Sequence, residues 1–211
     1  MRPRTLRWLP SLALLLAACA TRAPVTPAPP TSPARTAEER VTLAGVLDPD
    51  VRLAEIALLG KNGARLEGRV ALFEVDRGVL VVIDVEGAAA GRYAAHLHER
   101  GDCSDPDGVL AGGHWNPDHV EHGLPPYLGR HLGDLGNLEV GPAGTGHLEV
   151  MLPDANLEPG HRRSALGRAL LLKSEPDDGG QPFGGAFDPI ACGVVTGWGV
   201  SRGGLIGARY R

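Results

Sequence analysis

Six of the eight histidines in this chain fall between His96 and Asp134. His96 and His98 are separated by one residue, and in an extended strand residues i and i+2 share a face. Two imidazoles on one face make a ready pair of metal ligands. His114, His122, His131 and Asp134 follow at spacings of eight, nine and three residues. Three imidazoles and one carboxylate complete a tetrahedral set for zinc. Gly112, Gly113, Pro117, Gly123, Pro125 and Pro126 lie between the donors; they suit a long loop folded round an ion and exclude a regular helix. A lone loop histidine is ordinarily a solvated side chain, but a run this dense points to metal chemistry.

The elements that must position these donors read as short strands. Aliphatic residues dominate a chain with 4% aromatics, 30 Gly and 18 Pro, which suits an all-β fold with many turns. β-like runs begin near Ala54: 54–60, 65–75, 79–87, 92–99, 137–140, 147–153, 168–174 and 191–200, separated by turn residues. Within the second run, Leu66, Val70, Leu72 and Val75 are expected to form the core face. Seven or eight such strands predict an antiparallel sandwich or barrel. Neither a helix-period segment nor an internal repeat is present.

Residues 1–18 have the form of an export signal, with Arg2, Arg4 and Arg7 ahead of a short apolar run. The run ends Leu16-Ala17-Ala18-Cys19, which resembles a bacterial lipobox and makes Cys19 the expected lipidation site. Residues 19–40 form a Pro/Thr/Ala-rich stretch expected to act as a tether, and residues 41–211 form the domain. Removing the signal deletes three basic and no acidic residues, taking the formal charge from −4 to −7. This charge argues against nucleic acid as a partner. The expected location is the bacterial cell envelope, on its periplasmic or extracellular face, with the chain lipid-anchored in a membrane.

The motifs HLH, GDC, GGHWNP, EHG and RHLGDLGN, together with GRALLLKSEPDD (167–178) and ACGVV (191–195), resemble the copper/zinc superoxide dismutase family in order and spacing. The resemblance implies an immunoglobulin-like Greek-key barrel of eight antiparallel strands with long metal-binding loops. It implies a disulfide between Cys103 and Cys192, worth about 4–5 kcal/mol in the chain-entropy model. It implies zinc held by His114, His122, His131 and Asp134, with His114 bridging to a copper ion held also by His96 and His98. Asp177 resembles the outer carboxylate that links the two sites through ligand imidazoles.

Two positions depart from the family pattern. Lys173 stands where the fourth copper ligand, a histidine, is expected. Pro189, after Asp188, stands where an arginine is expected to steer superoxide; Arg168, Arg202 or Lys173 are the candidates to compensate. The resemblance therefore implies Zn2+ as cofactor and a weakened Cu2+/Cu+ site, with superoxide dismutation weak or absent. The alternatives are a working dismutase with a substituted ligand, and a zinc-stabilised metal-binding or interaction protein. A homodimer is compatible with either. His119, His147 and His161 lie outside the scheme and are expected to be exposed.

Overall fold

The computed structural model describes residues 52–185, 188–197 and 199–200. The signal, Cys19, the tether, residues 41–51 of the expected domain and Arg202 lie outside the described residues.

Nine strands form in chain order: β1 (Arg52–Gly60), β2 (Glu67–Val75), β3 (Gly78–Glu86), β4 (Gly91–Leu97), β5 (Asp134–Val140), β6 (Gly146–Pro153), β7 (Ala169–Lys173), β8 (Pro189–Val194) and the two-residue β9 (Gly199–Val200). Every pairing is antiparallel, in the order β2-β3-β6-β5-β4-β7-β8-β1, and β1 returns to β2. The first eight strands thus close into a barrel, with β9 added beside β1. The neighbours β3–β6 and β4–β7 are not consecutive in sequence, which is the Greek-key feature. Among the described residues there is no α-helix, only a 3-10 turn at Val109–Ala111.

Alternation fills the barrel. Leu58, Val70, Leu72, Val81, Ile83, Leu97, Leu138, Leu152, Leu170 and Leu172 all point into one continuous core with Trp115. Each large aliphatic side chain so buried contributes roughly 1.5–3 kcal/mol. Leu66, Val70 and Leu72 lie in this core as expected, but Val75 is exposed. Its odd position puts it on the opposite face from Val70 and Leu72. The last predicted strand, 191–200, is split into β8 and β9.

The donor-bearing loop, residues 98–133, is stitched to the barrel wall. Trp115 N–H donates to Leu97 O (2.8 Å), Gly133 N–H to Trp115 O (2.8 Å) and Leu97 N–H to Gly133 O (2.9 Å). A Cβ at Gly133 would stand 2.2 Å from Leu97 O, so only glycine permits this approach. The stitching sets His98 opposite His114 in an isolated bridge.

Candidate metal centre

His96, inside β4, and His98, just beyond its end, are both buried. A register shift between Ala95 and His96 re-aims the strand where it enters the site, a common use of a bulge. His114, His122 and His131 come from the long loop, and Asp134 is the first residue of β5; all four are buried.

Asp134 is the hub. Its Oδ1 accepts from His114 Nδ1 at 2.8 Å and lies 3.3 Å from His131 Nδ1. Its Oδ2 accepts from the backbone N–H of Gly123 and His131 and lies 3.0 Å from His122 Nδ1. Burial alone would raise this carboxyl, but the bond from His114 and the close imidazoles of His122 and His131 hold it far below the usual carboxylate range. Asp177 spans the next layer. Its Oδ2 accepts from His96 Nε2 at 2.8 Å, and its Oδ1 from His122 Nε2 at 2.9 Å and Gly179 N–H at 2.8 Å. It too lies below its ordinary range, because the bonds from His122 and His96 outweigh the opposing effect of burial.

The rings respond oppositely. Burial lowers His98 to about 3, against a helping bond to Gly112 O. It also lowers His114 to about 4, against Asp134, and lowers His96. His122 is buried as well, but Asp134 and Asp177 on its two nitrogens outweigh burial and raise it to about 9. His96 stacks on His114 with centroids 3.9 Å apart. Ligand atoms of His96, His114, His122 and Asp134 all lie within 4.8 Å of one another, a cluster consistent with a zinc site.

Beside the cluster is a cavity of about 300 Å3, lined among others by His96, His98, His114, Lys173, Phe183 and Asp188. Lys173 ends β7 and is half-buried. Burial lowers its ammonium, opposed by Asp188 and Asp105. Pro189 is buried as the first residue of β8, paired with Lys173. The last long strand thus begins two residues before the expected start at 191, and Asp188 rather than Pro189 faces the cavity. Arg168 is not at the cavity; it stacks over Trp115 at 5.0 Å and donates to Glu99 O. Cys103 and Cys192 form the expected disulfide, with Cα atoms 5.8 Å apart. Lys61 Nζ donates to Cys103 O, and Asn62 Nδ2 to both Pro106 O and Pro189 O, bracing the loop from the first hairpin. His119 and His161 are exposed, but His147 is half-buried, 2.6 Å from Asp84 Oδ1 and 3.3 Å from Glu149 Oε1. Their cross-strand register brings these groups together.

Several residues that hold the site carried no signal in the sequence. Arg130 is buried and donates to the carbonyls of Asp134, Tyr127 and Met151; its place inside RHLGD is the one hint. Gln181 pairs with both backbone groups of His122, and Asn137 with both backbone groups of Asp177. Phe183 lies 5.3 Å from the His114 ring.

A closed Greek-key barrel whose long loop carries a buried histidine–aspartate cluster defines a β-barrel protein with a candidate metal site. Residues 66–195 match the family model for copper/zinc superoxide dismutase (SODC), and the chain belongs to that family. It is 37% identical over 133 residues to superoxide dismutase [Cu-Zn] 2 of Aquifex aeolicus, covering 61% of this chain and 78% of the relative. It is 34% identical over 143 residues to the extracellular superoxide dismutase [Cu-Zn] of Drosophila melanogaster, covering 64% and 77%. Among solved structures it resembles a SOD-like protein from Bacillus subtilis, in a double mutant with two residues changed to histidine. That likeness has 33% identity and a TM-score of 0.60, covering 68% of this chain and 97% of the other.

Proposed function

We propose that this chain is a zinc-stabilised member of the family whose copper side is impaired, so that superoxide dismutation is weak or absent. The observation that carries the reading is a buried donor set round Asp134 beside a cavity lined by Lys173, which stands where the family resemblance implies a histidine.

Distance alone groups His96 with His114, His122 and Asp134. His131 is the better fourth member, because its Nδ1 lies 3.3 Å from Asp134 Oδ1 while His96 lines the cavity beside the cluster. The donors fit zinc. Nδ1 of His122 and of His131 are buried without a hydrogen-bond partner, as nitrogens reserved for a metal would be. Zinc bound by His114, His122, His131 and Asp134 supplies structure, since a closed four-donor site leaves no open position. Asp177 orients His96 and His122 from behind.

The copper side fits only in part. His96 Nδ1 and His98 Nε2 are also buried and unpartnered, but Lys173 offers an ammonium, which has no lone pair. Copper, when bound, supplies one-electron redox chemistry. A superoxide anion approaching the cavity meets Asp188 and no fixed guanidinium at Pro189, so electrostatic steering is weakened. A second reading, a working dismutase with the Lys173 amine as fourth donor, draws support from the burial that lowers that amine.

For location, we propose export and lipid attachment at Cys19 to a membrane of the bacterial cell envelope. The apolar leader and the disulfide support this, since disulfides persist in oxidising compartments. Superoxide is the small-molecule partner if activity remains; a homodimer is compatible, and nucleic acid is disfavoured by the charge.

The test is elemental analysis after loading with zinc and Cu(II) in air, followed by a dismutase assay. One zinc with well under one copper per chain, and a rate at least ~100-fold below that of a complete relative, is expected. One copper per chain with a rate matching that relative would overturn the proposal.

A further inference from the structure

We infer that Lys173 makes the cavity selective for the valence of copper, so that it retains Cu(I) and turns Cu(II) away. The inference deepens the proposed function and rests on its assignment of the cavity as the copper side.

The ring tautomers come first. A carbonyl can only accept, so His98 Nδ1–H donates to Gly112 O at 2.8 Å. Its Nε2 therefore presents a lone pair. His96 Nε2–H donates to the Asp177 carboxylate, so its Nδ1 presents another. Both nitrogens are buried and have no hydrogen-bond partner. His114 is different. A neutral imidazole has a single lone pair, so if zinc engaged His114 the ring would become a third donor only by losing its proton. Two firm imidazole lone pairs remain, with a third at the expense of a proton.

Cu(II) prefers four donors near a plane. The d10 Cu(I) ion has no such preference and accepts two or three. The remaining position belongs to Lys173, next along β7 from Leu172, which pairs with Ala95 of β4. Its Nζ makes no hydrogen bond or ion pair among the described residues. Of the two carboxylates that act on it, Asp188 and Asp105, Asp188 stands at the cavity wall. At any distance and dielectric an ammonium repels a dication with twice the energy with which it repels a monocation. Coordination number and the Lys173 charge thus favour the same valence, against the opposing pull of Asp107 and Asp188 at the cavity wall.

The experiment uses the zinc-loaded full chain. Cu(I) affinity is read anaerobically by competition with a chromogenic Cu(I) chelator, and Cu(II) affinity by competition with glycine and by electron paramagnetic resonance. Wild type is expected to hold one Cu(I) per chain, at least ~100-fold more tightly than Cu(II). Lys173→Gln removes the charge and adds no strong donor. It is expected to tighten both valences, with a gain in log affinity about twice as large for Cu(II) as for Cu(I). Retained zinc in this variant shows that it is folded. If Lys173→Gln weakens both valences, the amine is itself a ligand and the inference is overturned. Stoichiometric Cu(II) in wild type with a tetragonal four-nitrogen spectrum overturns it too. If zinc is retained and neither valence binds, the selectivity falls while the zinc-stabilised reading stands. Loss of zinc removes both.

Discussion

Replacing Asp177 by asparagine should separate the two halves of the metal centre. Asp177 Oδ1 accepts from both His122 Nε2 and Gly179 N–H, whereas Oδ2 accepts only from His96 Nε2. In Asp177→Asn the amide oxygen must stay on the side with two donors, which turns the NH2 toward His96. Two N–H groups cannot face one another, so His96 must move its proton to Nδ1 and accept at Nε2. That consumes the lone pair which His96 Nδ1 offers. Copper affinity should fall about 10–100-fold, the usual loss when a ligand's outer partner is removed. His122 keeps its acceptor and loses only the charge assistance, a change of about 1 kcal/mol. Zinc affinity should therefore fall by no more than about tenfold. Competition with chelators of graded strength measures both, and the 15N shifts of His96 report its tautomer. Equal losses for both metals, or a His96 proton that stays on Nε2, would refute the reasoning.

The remaining predictions concern how the site is held. Reducing the Cys103–Cys192 disulfide, which closes a loop with a sequence separation of 89, should lower unfolding free energy by about 4.6 kcal/mol; urea titrations with and without reductant measure this, and a loss under about 1 kcal/mol would show that the bracing by Lys61 and Asn62 suffices. Gly184→Ala would put a Cβ 1.9 Å from Asp177 Oδ1 and 2.7 Å from His122 Nε2 at a φ of +66°. It should release zinc and lower Tm together, as calorimetry of the loaded protein would show. In the zinc-free chain His122 is raised to about 9, so zinc must displace its proton. Apparent zinc affinity should climb about tenfold per pH unit through neutrality and level off above about 9. The stability that protonated His122 gives the zinc-free chain is complete below its unfolded value of about 6.5 and is lost as pH rises through about 9. Chemical denaturation of the zinc-free chain at pH 7 and pH 10 checks the sign.

The strand sequence and the clustering of the histidines were legible because each depends on local pattern. Alternation gave the core-facing Val70 and Leu72, and dense histidines gave the metal loop. Val75 was misplaced because parity within a strand, not hydrophobicity alone, decides which face a residue takes. Pro189 fell outside the expected strand 191–200, but at the first position of β8 it needs no ladder donor. His147 was expected to be exposed, yet cross-strand register sets it against Asp84, information absent from either strand alone. The role of Gly184 was hidden for a related reason. Its close approach to Asp177 and His122 exists only once the barrel brings residues 122, 177 and 184 together. Gln181 and Asn137 act through backbone groups far away in sequence, and Arg130 through carbonyls both near and distant, and such partners leave no motif.

The two sides of the metal centre draw on the chain very differently. His114, His122, His131 and Asp134 come from one stretch of 21 residues, hung between β4 and β5. The cavity side instead gathers His96 and His98 from the end of β4 and Lys173 from β7. A change at the end of β7 therefore alters that side without disturbing a single bond round Asp134. On the proposed function, such modularity would let one substitution retune the cavity while the zinc scaffold survives.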